Sequence, residues 1–200
     1  PVGHEDDADR AMRASISMIN TLRQWNVQRA AEGKLPVDIG VGLNTDRVVS
    51  GNIGSKKRMD YTIIGDGVNL ASRLESACKQ YGAHILISEF TFHKLKGTYR
   101  TREIDLAVVK GKTRPVAIYE VLDYHDEASF PHIVDALGLY KDALAKYRAR
   151  RWDDAARLFE EVLALNPKDK PSKLYVERSR YMKEHPPGED WTGEWVLESK

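Results

Sequence analysis

Apolar positions fall first at Ala11, Ala14, Met18, Leu22 and Trp25, in steps of three and four that keep one side of a helix apolar. Asp6, Asp7 and Asp9 stand at its start, where carboxylates complement the helix dipole; the pattern reads them as capping and solvation rather than metal binding. Gly33 and Pro36 end the helix. Val37, Ile39, Val41 and Leu43 then alternate with small or polar residues. RVVSGNI resumes the alternation after a polar turn, which predicts a hairpin. SKKRMDYTII predicts a basic loop and a further short strand.

GDGVNLASRLESACKQYG changes the period. Val68, Ala71, Leu74 and Cys78 share a helical face, and Gly82 stops the helix. HILIS predicts a short buried strand, EFTFHKLKG a short helix, and YRTREIDLAVVKGKTRPVAIYEVLD a second pair of strands around a KGKTRP turn. Strands and helices mix, with hairpins among them, which is an α+β class rather than a succession of parallel βαβ units. After Asp123 the character changes. YHDEASFPH (125–132 at its core) reads as a linker, 133–184 is helical throughout except at LNPKDKP, and 185–200 is a polar tail assigned no structure.

Composition narrows the class. Of 200 residues, 42% are apolar and 30% charged, as in a soluble globular chain. Cys78 is the single cysteine, so no disulfide forms within the chain and a reducing, cytoplasmic setting is expected for this part. A formal charge of +1 argues against a nucleic-acid binder. No apolar run reaches the roughly 18 residues of a membrane span. The opening PVGHEDDADR is too polar for a signal peptide and lacks Met, so a piece of a longer protein is expected, with a membrane anchor upstream left open.

Candidate chemistry is sparse. GNIGSKK lacks the spacing of a phosphate loop and precedes a strand, so it reads as a hairpin turn. Asn69 and Arg73, four apart on a helix, project about 40° from one another. An amide and a guanidinium so placed suit a polyanionic ligand. Spacing alone favours the plainer reading, in which Arg73 pairs with Glu75, Glu103 or Asp105 while Asn69 caps the helix. Lys110 and Lys112 sit in a turn that is ordinarily a solvated surface. Thr62, beside Asp60 on a strand, is either an ordinary strand threonine or a hydroxyl able to meet a base edge. The six histidines show no zinc spacing, and no nucleophile elbow is present.

The stretch VDIGVGLNTDRVVSGNIGSKKRMDYTIIGDGVNLASRLESACKQYGAHILIS, with the later VVKGKTRPVAIYEVL, resembles the C-terminal half of a class III adenylate/guanylate cyclase catalytic domain of bacterial type, over about residues 4–122. The resemblance implies a ferredoxin-like α+β fold over 1–124, a head-to-tail pairing with a second cyclase domain (a homodimer), and ATP or GTP in the cleft between the two. It implies two Mg or Mn ions on two aspartates, and attack of the ribose 3′ hydroxyl on the α-phosphate with loss of pyrophosphate. On the matching positions, Asn69 would hold the ribose, Arg73 would stabilise charge on the α-phosphate, Lys110 would contact the triphosphate, and Thr62 would read adenine, which favours ATP. The family's metal-bearing F-x-D-I-x-x-F strand and G-D hairpin are missing, as is its purine-reading lysine. The expectation is therefore an adenylate cyclase fragment lacking its metal-binding half and inactive alone. The competing expectation is a catalytically dead, regulatory interaction module.

YKDALAKYRARRWDDAARLFEEVLALNPKD resembles one tetratricopeptide repeat, with Trp152, Ala155, Phe159, Leu163 and Pro167 at its second-helix positions. The resemblance implies a helical appendage over 133–184 that packs on the cyclase part or on a protein partner. The basic run Lys141–Arg151 reads as a solvated helix face, with a patch for an acidic partner as the alternative.

Overall fold

The structure, a computed structural model, describes residues 3–55, 58–107 and 115–194. The chain divides into two compact units, Pro1–Thr101 with Val116–Tyr124, and Arg102–Pro115 with His125–Lys200. In chain order the elements are α1 (Asp7–Ala31), β1 (Val41–Leu43), β2 (Val49–Ser55), β3 (Arg58–Ile64), α2 (Asp66–Tyr81), β4 (Ile85–Ser88) and α3 (Glu89–Phe92). They are followed by β5 (Thr101–Ala107), β6 (Val116–Val121), α4 (Ile133–Arg148), α5 (Trp152–Leu165) and α6 (Lys170–Glu184).

In the first unit, β4 is buried at every position. It pairs in parallel with β1 (Val41↔Ile85 to Leu43↔Ile87) and antiparallel with β6 (Leu86↔Glu120 to Ser88↔Ile118). Met12, Ile19, Ile85, Ile87, Val121 and Tyr124 form the core, flanked by Ile16, Ile39, Val41 and Leu43. Each fully buried Ile or Met contributes about 1.5–3 kcal/mol. The face of α1 differs from the sequence reading. Met12, Ser15 and Ile19 are buried, whereas Met18 and Trp25 are exposed at 52% and 46%. One position along a helix is a 100° rotation, and the bulkier Met12, Ile16 and Ile19 outweigh the alanines in setting it.

The predicted hairpin between 37–43 and RVVSGNI does not form. β2 pairs instead with β3, from Val49↔Ile64 to Ser55↔Arg58, as a separate two-stranded sheet. The chain leaves β1 at Asn44, whose side chain donates to the Gly67 carbonyl (3.0 Å) and accepts from the Ser88 hydroxyl (2.6 Å). Those bonds carry it away from β1 rather than back along it. Behind β1 packs α2, so closely that a Cβ on Gly42 would lie 2.2 Å from the Ala71 carbonyl oxygen. The buried face of α2 is Gly67, Leu70, Leu74, Cys78 and Tyr81, and the helix stops at Gly82 as its sequence predicts.

In the second unit, an aromatic core joins α4, α5 and α6. Phe159 and Tyr175 stack with ring centres 4.9 Å apart, and Tyr140 meets both edge-on. Ala155 and Phe159 are fully buried, whereas Pro167 is exposed. LNPKDKP breaks the helices where expected, with Asp169 capping α6 by accepting from the Ser172 N–H (3.2 Å). The tail departs from its unstructured reading. Trp191 packs on Tyr147 and Trp152, with ring centres 5.5 and 5.4 Å away. Arg150 donates to the carbonyls of Pro187, Gly188 and Glu189. A tryptophan with a flat apolar face to bury and a guanidinium supplying donors to bare carbonyls overcome the polarity of the segment.

Candidate functional site

The site residues named from sequence lie mainly where β3 runs through Gly65 into α2. Thr62 is on β3 opposite Gly51 of β2. That partner has no side chain, and space around it is open, so nothing on β2 covers the Thr62 hydroxyl from the directly opposed position. Thr62 is exposed, as are Asn69 and Arg73 on α2. These two face away from the helix's buried side, because Leu70, Leu74 and Cys78 take the positions that pack.

Arg73 does not pair with the acids the sequence offers it. Glu103 is held by Arg148, Asp105 accepts from Arg178 at 2.8 Å, and Glu75 accepts from Ser76 at 3.3 Å. Nor does Asn69 cap α2, whose N-cap position is Gly65. Among the described residues, neither side chain makes an intramolecular hydrogen bond or ion pair, so both are free for a ligand. Lys110 and Lys112 lie outside the described residues.

The acids of α1 divide. Asp6 and Asp7 are exposed beside Arg13 and Arg10. Asp9 is almost wholly covered, 3% exposed. It is not a cap: its carboxylate accepts from the N–H of Lys96 (2.9 Å), the N–H of Gly97 (2.8 Å) and the Tyr99 hydroxyl (2.9 Å). The Lys96 N–H first, then that of Gly97, hold its carboxyl below the usual range. Among the described residues, no group of three His, Cys, Asp or Glu side chains comes together as a metal site. Burial pushes the Cys78 thiol up to about 11, the opposite of a nucleophile's shift. Asn44 escaped the sequence reading although it ties the start of α2 to the end of β4. Its one signal is a polar Asn-Thr-Asp turn directly after an apolar strand.

A family model, the adenylate and guanylate cyclase catalytic domain, matches residues 2–122. The chain belongs to this family. It is 41% identical over 124 residues to an adenylate cyclase of Anabaena cylindrica, covering 58% of this chain and 25% of that protein. It is 34% identical over 175 residues to the terminal-differentiation-specific adenylate cyclase of Dictyostelium discoideum, covering 86% of this chain and 8% of that protein. The chain thus spans no more than a quarter of either relative, and the Dictyostelium match runs beyond the cyclase residues into the helical ones. The adenylyl cyclase CyaB from P. aeruginosa superposes with a TM-score of 0.53 at 40% identity, over 60% of this chain and 61% of that one. A guanylyl cyclase gives 0.51 at 37% identity, over 60% of each chain. The tetratricopeptide resemblance of 133–184 has no counterpart in the family match, which ends at residue 122. No helix among the described residues is long and apolar enough to cross a membrane.

Proposed function

We propose that this chain is the part of an adenylate cyclase catalytic domain that grips the ribose and the reacting phosphate. The reaction converts ATP to 3′,5′-cyclic AMP and pyrophosphate. The observation that carries this reading is the pair Asn69 and Arg73, both exposed and both without an internal partner, inside a cyclase-family domain. Asn69 would orient the ribose so that its 3′ oxygen faces the α-phosphate. Arg73 would offer a fixed cationic fork to the charge that grows on that phosphate in the transition state. Thr62 would meet the adenine edge, and Lys110 the triphosphate. Bound Mg or Mn would activate the 3′ hydroxyl in this chemistry. Those ions' ligands would come from the metal-binding half of the domain, outside this chain.

A partner domain is part of the proposal. Val49, Tyr61, Ile63 and Ile64 of the β2–β3 ribbon are exposed at 64, 63, 50 and 51%. That much uncovered apolar surface suits a head-to-tail mate. In the full-length protein, Arg73→Ala is expected to lower kcat roughly 100-fold with a smaller change in KM, and Asn69→Ala to do likewise. A cyclic AMP assay measures both. Unchanged turnover in both variants would overturn the reading. This chain alone is expected to give no cyclic AMP above background with Mn and ATP.

A second reading is a cyclase-like regulatory interaction module without turnover, which the exposed apolar residues of the β2–β3 ribbon would also suit. It predicts that Arg73→Ala in the full-length protein changes partner binding and leaves no activity to lose.

A further inference from the structure

Gly40, Gly42 and Asn44 alternate along β1 and its two flanks, so they address one side of the strand. α2 lies on that side. A Cβ on Gly40 would come 2.9 Å from the Cys78 Cβ and 3.0 Å from the Glu75 carbonyl oxygen. On Gly42 it would strike the Ala71 carbonyl oxygen at 2.2 Å and the Glu75 nitrogen at 2.5 Å. The third position carries a side chain, and Asn44 Nδ2 donates to the Gly67 carbonyl at 3.0 Å. Strand and helix therefore run antiparallel, with Gly40 beside the C-terminal half of α2 and Asn44 at its first turn.

Two glycines let the helix backbone come close, but they offer it no side chain to lock against. On this side of α2 a directional contact comes from Asn44. Its oxygen accepts from the Ser88 hydroxyl at 2.6 Å, and Ser88 is fully buried at the end of β4. A carbonyl can only accept, so the amide nitrogen must face Gly67, which leaves the oxygen for Ser88. The amide thus bridges the buried end of β4 and the first turn of α2. Beside it, Thr45 Oγ1 lies 3.1 Å from Thr91 Oγ1, a second tie on the same turn of chain. Asn69 is two positions beyond Gly67 and exposed. Rotating a helix by about 10° carries groups at its outer radius of about 5–6 Å through about 1 Å. A displacement of that size can cost about 100-fold in rate.

We propose that Asn44 is a positioning residue for Asn69. By holding the Gly67 carbonyl it fixes the rotation of the first turn of α2, and so the place where the Asn69 amide meets the ribose. The inference rests on the role given to Asn69 under Proposed function. It extends the nucleotide site inward, to a side chain that acts through the helix backbone.

Steady-state kinetics of the full-length protein with ATP test it, using Asn44→Asp, Asn69→Ala and the double variant. Asn44→Asp keeps the shape and the acceptor for Ser88, but turns an acceptor toward the Gly67 carbonyl where a donor stood. It is expected to lower kcat about tenfold with KM changed less than threefold. Added to Asn69→Ala, it should lower kcat less than threefold further, because its effect passes through Asn69. A general loosening of the fold would multiply with the Asn69→Ala loss, and that result overturns the proposal. So does an Asn44→Asp variant with unchanged kcat, or one altered in KM alone. If Asn69→Ala itself leaves kcat unchanged, the reading of Asn69 fails and takes the inference with it. Should Asn44→Asp not fold because of its charge, Asn44→Ala takes its place in the same cycle. A fall in kcat at a thermal midpoint near the parent's, absent when Asn69 is already alanine, supports the proposal; an unchanged kcat overturns it.

Discussion

Cys78 and Asp9 are both covered by the protein, yet their surroundings move them in opposite chemical directions. Cys78 sits against the carbonyls of Leu74, Val41 and His84, and burial disfavours its thiolate, with the thiol raised to about 11. The folded chain is therefore expected to resist a thiol reagent at pH 8 and to react fully once unfolded in urea; absorbance of the released chromophore measures this. Asp9 faces two N–H donors, which favour its charged form. A carboxyl whose pKa is lower folded than unfolded adds stability above its ordinary range, about pH 4. It loses that contribution as pH falls through the folded value. Asp9→Asn should thus be less stable than the parent at pH 6, with the gap narrowing toward pH 3, as urea titrations at the two pH values would record. Sequence alone reveals the spacing of Asn69 and Arg73, because a helix converts four positions into a shared side. It does not reveal the task of Asp9, because its partners Lys96, Gly97 and Tyr99 are about ninety positions away and ordinary in type.

Among the elements, α2 and β1 are the least forgiving pair. Replacing Gly42 with Ala would force a methyl against helix backbone at 2.2 Å. The expected outcome is a loss of about 1–3 kcal/mol, read as a lower urea midpoint at unchanged slope. The alternation that marks β1, β2 and β3 as strands is plain in the sequence. Their pairing is not, since a period of two says which face is apolar and nothing about which neighbour lies alongside. Asn44 decided it through side-chain bonds to Ser88 and Gly67, residues 44 and 23 positions away. The tail is the reverse case. Its composition reads as polar, and one well-placed tryptophan organised it.

For the whole molecule, the α+β cyclase class and the change to helices after Asp123 were legible from periodicity and motif order. Compactness draws a different line, because Arg102–Pro115 keeps company with the helices although family similarity runs through residue 122. A chain cut after Tyr124 would strip β5 of Asp169, Arg178 and Arg148 together. Its expected behaviour is a broad, low-temperature melt and elution as aggregate, against a cooperative melt for the full chain, by circular dichroism and size exclusion. Less drastically, Arg178→Met alone takes the Arg178 guanidinium away from the buried Asp105 carboxylate and should lower the urea midpoint. Adding Asp105→Leu should restore most of that loss in the same urea titration.

The clamp at Arg150 has a bearing on how this chain is free to diverge. Its guanidinium grips oxygens of the main chain at positions 187, 188 and 189, features every amino acid carries alike. Mutational drift there can exchange one side chain for another without loosening the grip. Arg150 and the indole of Trp191 act instead through their own side chains, so substitution there is the change that would loosen residues 187–191.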